Sequence, residues 1–596
     1  MATQITLGNI TTQNGRTTIG GSQSGLDTEA LIKGLTEAKR LPAVRLETKN
    51  EQLATQKTAL SSLQSLLTRF RTAMDSLRNP PGVLNASQNI FEYRTASFSS
   101  VVTSSNYLGV TVQPGANPQS FSIDEIEQVA RETRQESSNF VLADANTSVV
   151  AASGAATAGQ FSAGTVTLRN LSGGAGVDIT LNEGDSLNAV AAKFNAVKDR
   201  TGIQATVLKV ANGDPNSTYK IIFTGTQTGL TGEFDLADSA TVLADADDVF
   251  AQVGFTTKQT AQNAKFTLNG VEIERENNTV TDLIDGITFT IKQPLSSATP
   301  IGVNIEPDLE IVTNAINQMA DIYNELRVFQ AKQNELGEDG LPTEDAVLAN
   351  DPTLRSISTA VTSFMTSLVN GLSDGSPASL SEIGIGFQDF EGDEETPRVR
   401  NIIVINAEKL QSSLSANFDA VRDVFEFKFT SDSDKLALFK TSNSITASGF
   451  TLNLDRTNNV YTATVDGNTV QLDYTPGANG VITLKGKAGT PLAGLEMIYA
   501  STDDATINVS LSQGVADKVY NELNSALSAG GALTNALQAI QDQTSRNQTE
   551  IGKVDEFIER YREQLINQYS ALEAALTKAN QLLNLLDQQA QARNNA

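Results

Sequence analysis

The chain has 596 residues, with 43 Lys and Arg against 69 Asp and Glu, a formal net charge of −26. It contains no Cys, His or Trp, which excludes disulfides, thiolate or imidazole metal sites, and nucleophile arrangements built on His or Cys. Such acidity lacks the basic face a nucleic-acid binder needs, and a soft prior of about 150 residues per domain suggests roughly four domains.

No run of 18 apolar residues occurs, so no membrane insertion is predicted. The opening residues have no apolar stretch of the kind a secretory signal carries. Residues 1–24 are polar, rich in Thr and Gly and aperiodic, and are expected to be disordered.

Ser24 or Asp27 can cap a helix through Leu31, Ile32 and Leu35, which Pro42 is expected to end. A second helix is predicted from about residue 43 to 78. Leu46, Leu53, Leu60, Leu67 and Met74 fall seven apart, and Leu63, Phe70 and Leu77 take the matching d positions. That spacing reads as a coiled-coil seam rather than the wider stripe of a globular helix. Asn79-Pro80-Pro81-Gly82 stops it. Residues 25–130 are assigned to the N-terminal half of a helical stem, although 91–99, 107–112 and 119–126 alternate like strands.

A β-rich head domain is expected over 147–306. Within it, 165–168, 177–181 and 203–210 read as strands, Ser186 opens a short helix, and Asn269-Gly270 marks a hairpin turn. Residues 307–428 are predicted to be mainly helical, over 308–335, 354–372 and 407–425. A second β-rich insertion is expected over 429–512. From 513 to 596 the chain reads as a C-terminal leg, interrupted at Gly530-Gly531. Ile551, Val554, Ile558, Tyr561 and Leu565 alternate steps of three and four. Tyr569, Leu572, Leu576, Leu583 and Leu586 continue the seam after a phase slip at Leu565. Neither terminal seam can bury itself. The economical arrangement is one antiparallel coil made by both ends. The predicted class is therefore α+β multidomain: a helical coiled-coil stem from both termini, with inserted β-rich head domains.

No catalytic constellation stands out, and neither an enzyme nor a cofactor is expected. Gly480–Lys487 has one residue too many between its glycines for a phosphate loop. The acidic runs Asp245-Ala246-Asp247-Asp248 and Asp393-Glu394-Glu395 miss calcium-loop spacing and read as solvated loops.

Several segments resemble the flagellar filament cap (hook-associated protein) family. They are Ser24-Gly25-Leu26-Asp27-Thr28-Glu29 with Leu41-Pro42, Ser120–Ala130, Asn269-Gly270-Val271 with Asn278–Thr288, Asp321–Asn324, Asn350–Arg355, Leu380–Ile385, Gly514–Asp517 and Gln568–Glu573. Residues 164–210 look like the IN motif of flagellins and hook-associated proteins. The resemblance covers nearly the whole chain in order, except around 430–490. It implies passage unfolded through the flagellar export channel and assembly at the extracellular distal tip as a ring, commonly a pentamer. The partners it implies are other copies of the chain, flagellin, hook–filament junction proteins and an export chaperone. The implied function is to retain emerging flagellin and promote its folding and polymerisation. Rival readings are a hook–filament junction protein, a flagellin, or a surface adhesin.

Overall fold

The computed structural model describes residues 9–13, 16–20, 27–79, 89–171, 173–213, 215–393 and 396–594. Contacts divide the chain into two units, Met1–Gly82 with Thr313–Ala596, and Val83–Val312. In chain order the helices are α1 (Thr28–Leu77), α2 (Leu187–Ala196), α3 (Lys198–Thr201), α4 (Leu309–Gln333) and α5 (Pro352–Thr366). There follow α6 (Ala407–Ala416), α7 (Phe418–Phe425), α8 (Val515–Leu527) and α9 (Ala532–Asn594).

In the first unit α1 is one helix of 50 residues, about 75 Å at 1.5 Å per residue. Asp27 caps it by accepting the Ala30 N–H at 2.9 Å. The predicted break at Pro42 does not occur. Pro42 and Ala38, whose carbonyl loses its helical donor, both lie on the exposed side, where water can satisfy that carbonyl. The helix ends at Leu77 with Arg78 extended; Pro80, Pro81 and Gly82 lie outside the described residues.

Helix α4 buries Ile316, Met319, Ile322, Tyr323 and Leu326, spaced three and four apart as a helix facing a core requires. Asp351 caps α5 by accepting the Thr353 and Leu354 N–H groups, each at 2.9 Å. The single helix expected over 407–425 is instead α6 and α7. Asn417 breaks the run and caps α7 through the Ala420 N–H, the role an Asn side chain fills best. Helix α8 lies against α1 and α5, and a turn at 528–531 leads into α9.

Residues 427–513 form an eight-stranded sheet, in the order 427–431, 505–513, 449–455, 460–465, 468–476, 482–486, 496–499 and 436–440. All neighbours are antiparallel. Alternation buries Leu452, Leu454, Tyr461, Ala463, Leu484, Met497, Ile507 and Val509 on one side. Residues 482–486 of the phosphate-loop lookalike are one of these strands, so no loop opens onto a helix there.

The second unit contains two apolar cores rather than the single lobe expected over 147–306. Strands 94–99, 119–128, 264–268, 271–275 and 301–307 form one sheet, and 108–112, 279–284 and 287–291 another. They share a core that includes Phe121, Ile123, Phe266, Phe289 and Ile305. Residues 94–128, assigned above to the helical stem, therefore belong to these sheets. The second core lies between residues 134 and 259 and includes Phe161, Leu187, Phe194, Ile221 and Phe223, with α2 packed on the strand Ile203–Ala211. Ser186 caps α2. Asn269 and Gly270 both take positive φ, 48° and 76°, as a type I′ hairpin demands.

Of the expected disordered segment, Asn9–Gln13 pairs antiparallel with Arg16–Gly20, and the rest lies outside the described residues. No helix among the described residues is long and apolar enough to cross a membrane.

Candidate assembly surface on the terminal helices

The C-terminal part of α1 lies in an apolar bundle. Leu60, Leu63, Leu67, Phe70, Met74 and Leu77 are each at most 1% exposed, and Leu53 is also buried. The Phe70 ring lies 6.1 Å from that of Tyr323 on α4, which in turn lies 6.2 Å from Phe387. Arg69 bridges to Glu325 at 2.7 Å on the surface, where water and salt screen an exposed ion pair and leave it little net stabilisation. The apolar side chains therefore hold this end, at about 1.5–3 kcal/mol for each large one buried.

The N-terminal part is joined differently. From Thr28 to Asn50 the fully buried apolar residue on α1 is Ala43; Leu46 is half-buried, and Leu31, Leu35, Leu41 and Val44 are exposed. Polar pairs span the gap to α9. Lys57 donates to Gln541 at 2.7 Å, Asn547 Nδ2 to Asn50 Oδ1 at 2.8 Å, and Arg40 Nε to Asp555 Oδ1 at 2.8 Å. Arg40 also donates to Glu47 at 2.6 Å, and these two carboxylates hold its guanidinium pKa above the ordinary arginine value. As the α1 number rises the α9 number falls, so the helices run antiparallel.

On α9, Ile558 and Leu565 are buried, and Ile551, Val554, Tyr561, Tyr569 and Leu576 are half-buried. Leu572, Leu583 and Leu586 are 45%, 59% and 56% exposed, as are Leu582 and Leu585 at 61% and 53%. Carrying the Arg40–Asp555 register to Thr28 leaves roughly 27 residues of α9 beyond the start of α1, about 40 Å of helix. Burial along this row thus falls off beyond Leu576, and Leu583 and Leu586 are exposed among the described residues.

The expected seam did not include Leu533, Asn547 or the Arg40–Asp555 contact. Leu533 and Asn547 were legible, since steps of three and four run back from Ile551 through Asn547, Thr544, Ile540, Leu537 and Leu533. Asn547, 4% exposed, is a polar residue in that row. Arg40 carries no such signal.

The first acidic run is used locally. Asp245 accepts the Val249 and Phe250 N–H groups, and Asp247 that of Thr165. In the second, Asp393 accepts the Thr396 N–H, and Glu394 and Glu395 lie outside the described residues. Among the described residues no three Asp or Glu side chains gather as metal ligands would.

Comparison with known proteins adds three family matches in chain order. Residues 24–133 match the flagellar hook-associated protein 2 N-terminus, 165–227 the flagellin hook IN motif, and 261–581 the flagellar hook-associated protein 2 C-terminus. The A-type flagellar hook-associated protein 2 of Pseudomonas aeruginosa is 25% identical over 427 residues, spanning 69% of this chain and 80% of that protein. The flagellar hook-associated protein 2 of Escherichia coli K12 is 22% identical over 411 residues, spanning 67% and 78%. Among solved structures, the D1-D2-D3 domains of the flagellar cap protein FliD from Escherichia coli align at 18% identity, over 81% of this chain and 99% of that one, with a TM-score of 0.46.

Proposed function

The chain belongs to the flagellar hook-associated protein 2 family, and on that premise we propose that it caps the flagellar filament. The observation that carries the reading is the C-terminal family match over 261–581, more than half the chain, preceded in order by the N-terminal match. Two relatives over most of their length support it.

In this reading the chain works outside the cell, at the distal filament tip, after export through the flagellar channel. Copies of it form a ring, commonly a pentamer. The antiparallel α1–α9 pair acts as a coiled stem, and the exposed leucines from Leu572 to Leu586 are its unfilled contact row. The β-rich parts form the head under which flagellin is retained, folds and joins the polymer. Hook–filament junction proteins and an export chaperone are the further partners. Capping needs no covalent chemistry: coil packing supplies the binding free energy, and the entropy lost as the loosely ordered termini dock keeps the contact weak enough to release.

The experiment is deletion of the gene in its own cells. Capping predicts flagellin shed as monomer into the medium and short or absent filaments by electron microscopy, restored by the intact chain. Filaments of normal length in the deletion strain would reject it. Gold labelling that decorates the filament along its length, or only its base, would favour a flagellin or a junction protein instead.

A further inference from the structure

The eight-stranded lobe of residues 427–513 is attached to the helical bundle by two chain crossings. The chain enters from α7 at Glu426–Phe427 and leaves into α8 at Gln513–Gly514. The crossings touch: the Gly514 N–H donates to the Glu426 carbonyl at 2.8 Å. A Cβ on Gly514 would come within 2.3 Å of the Phe425 carbonyl carbon. Two adjoining strands make a neck, beside which the loop at Gly371 packs against Leu511 and Ser448 of the lobe; a neck by itself allows the lobe to turn.

Asp517, one turn into α8, is 0% exposed. Its Oδ2 accepts from Gln513 Nε2 at 2.8 Å and from Asn521 Nδ2 at 3.0 Å. Gln513 Nε2 also reaches Asn443 Oδ1, in a loop of the lobe, at 3.2 Å. Asn443 Nδ2 in turn donates to the Lys518 carbonyl on α8 at 2.7 Å. On its other side, Asp517 Oδ1 faces Arg78 Nη1 at 3.5 Å, an ion-pair distance without a hydrogen bond. Arg78 is itself fixed, donating from Nε to Asp75 at 2.7 Å and lying 3.5 Å over the Tyr520 ring. One buried carboxylate therefore engages the end of α1, the first turns of α8 and the last strand of the lobe. A buried charge opposes folding unless it is paired and bonded in this way.

We propose that Asp517, held by Arg78 and Gln513, is a rigid joint that fixes the orientation of the eight-stranded lobe on the helical bundle. With the joint made, a load on the lobe passes to α1. With it broken, the lobe swivels on its neck while both parts stay folded. The inference is independent of capping, and its test uses the purified full chain alone.

Because the chain has no native cysteine, a pair of spin labels can be placed without background. Thr68→Cys on α1 and Thr469→Cys on the lobe, both exposed, are read by double electron–electron resonance. The expected result is one narrow distance distribution in the parent and at least a doubling of its width in Q513A, R78Q and D517A. D517N, which keeps an acceptor but loses the charge, should fall between. A second label pair inside the lobe, Thr430→Cys with Thr469→Cys, should keep its width throughout. If D517A does not fold, Q513A and R78Q decide. Parent-like widths in those variants would overturn the joint. So would equal broadening in K485A, which breaks the Lys485–Glu496 pair on the outer face of the lobe.

Discussion

Asp517 shows how a single residue couples packing to pH. Burial pushes its carboxyl above the usual aspartate value, against the opposing pull of Gln513, Arg78 and Asn521. A carboxyl raised in the folded state takes up a proton on folding. Its contribution to stability is therefore full below the unfolded value, about 3.9, and is lost as pH rises through the folded one. D517N removes that dependence. The stability of the parent relative to D517N, from urea unfolding followed by circular dichroism, should fall as pH is raised from about 4 toward neutrality. A difference that stays flat or rises would place the native carboxylate at or below its ordinary value. Its role was not legible in the sequence, because Arg78 comes beside it only once α1 and α8 have packed, although Gln513 and Asn521 stand four residues before and after it. Leu60, Leu63, Leu67, Phe70, Met74 and Leu77 were legible, because a seven-residue spacing on a helix fixes a face without reference to anything distant.

Among the elements, α1 gives the sharpest contrast between local rule and outcome. Proline in a helix interior removes a donor and is unfavourable by about 3 kcal/mol relative to alanine. The prediction of a break at Pro42 follows from that rule. The rule is overridden because the lost donor lies on the water side and the helix is held on both flanks, at Ala43 and along α9. Pro42→Ala should therefore leave the helix continuous and stabilise it by roughly 1–3 kcal/mol; a thermal melt with an unchanged or lower midpoint would contradict this. The Asn50–Asn547 pair makes a second case. An amide pair with Asn547 buried and Asn50 half-buried weakens the contact relative to an apolar pair but disfavours wrong pairings. N50L/N547L should raise the melting temperature of the purified chain while increasing larger species in mass photometry. A lower melting temperature would mean that the amide pair is net stabilising. The split at Asn417 came from one residue whose capping preference outweighed a helical pattern running through it, a balance that periodicity alone does not register.

At the scale of the whole molecule, the alternation of helical ends with a strand-rich middle was plain from composition, since glycine is sparse over 35–81 and 532–596. How the middle divides was not. Strands 94–128 and 264–307 come together across an entire second core inserted between them, and insertion leaves no periodic mark. The exposed end of α9 gives a prediction at this scale. L583D/L586D removes apolar surface that is exposed among the described residues, so far-UV circular dichroism and the melting temperature should stay within experimental error of the parent. Filament growth in complemented deletion cells should be lost. Full-length filaments with the double variant would remove the tail leucines from any part in assembly.

The cross-helix contact between Arg40 and Asp555 joins residues 515 apart in sequence, so this clasp unites the first helix of the chain with its last. Closing a contact of such separation costs the loop entropy of the whole intervening chain unless that chain has already folded. While the chain emerges, its β-rich parts can mature separately, and the N-terminal part of α1 waits without its mate. Closure thus reports completeness: a chain cut short before α9 keeps the packing of Leu60–Leu77 against α4 and α8 but leaves Arg40 and Asn50 without their α9 partners.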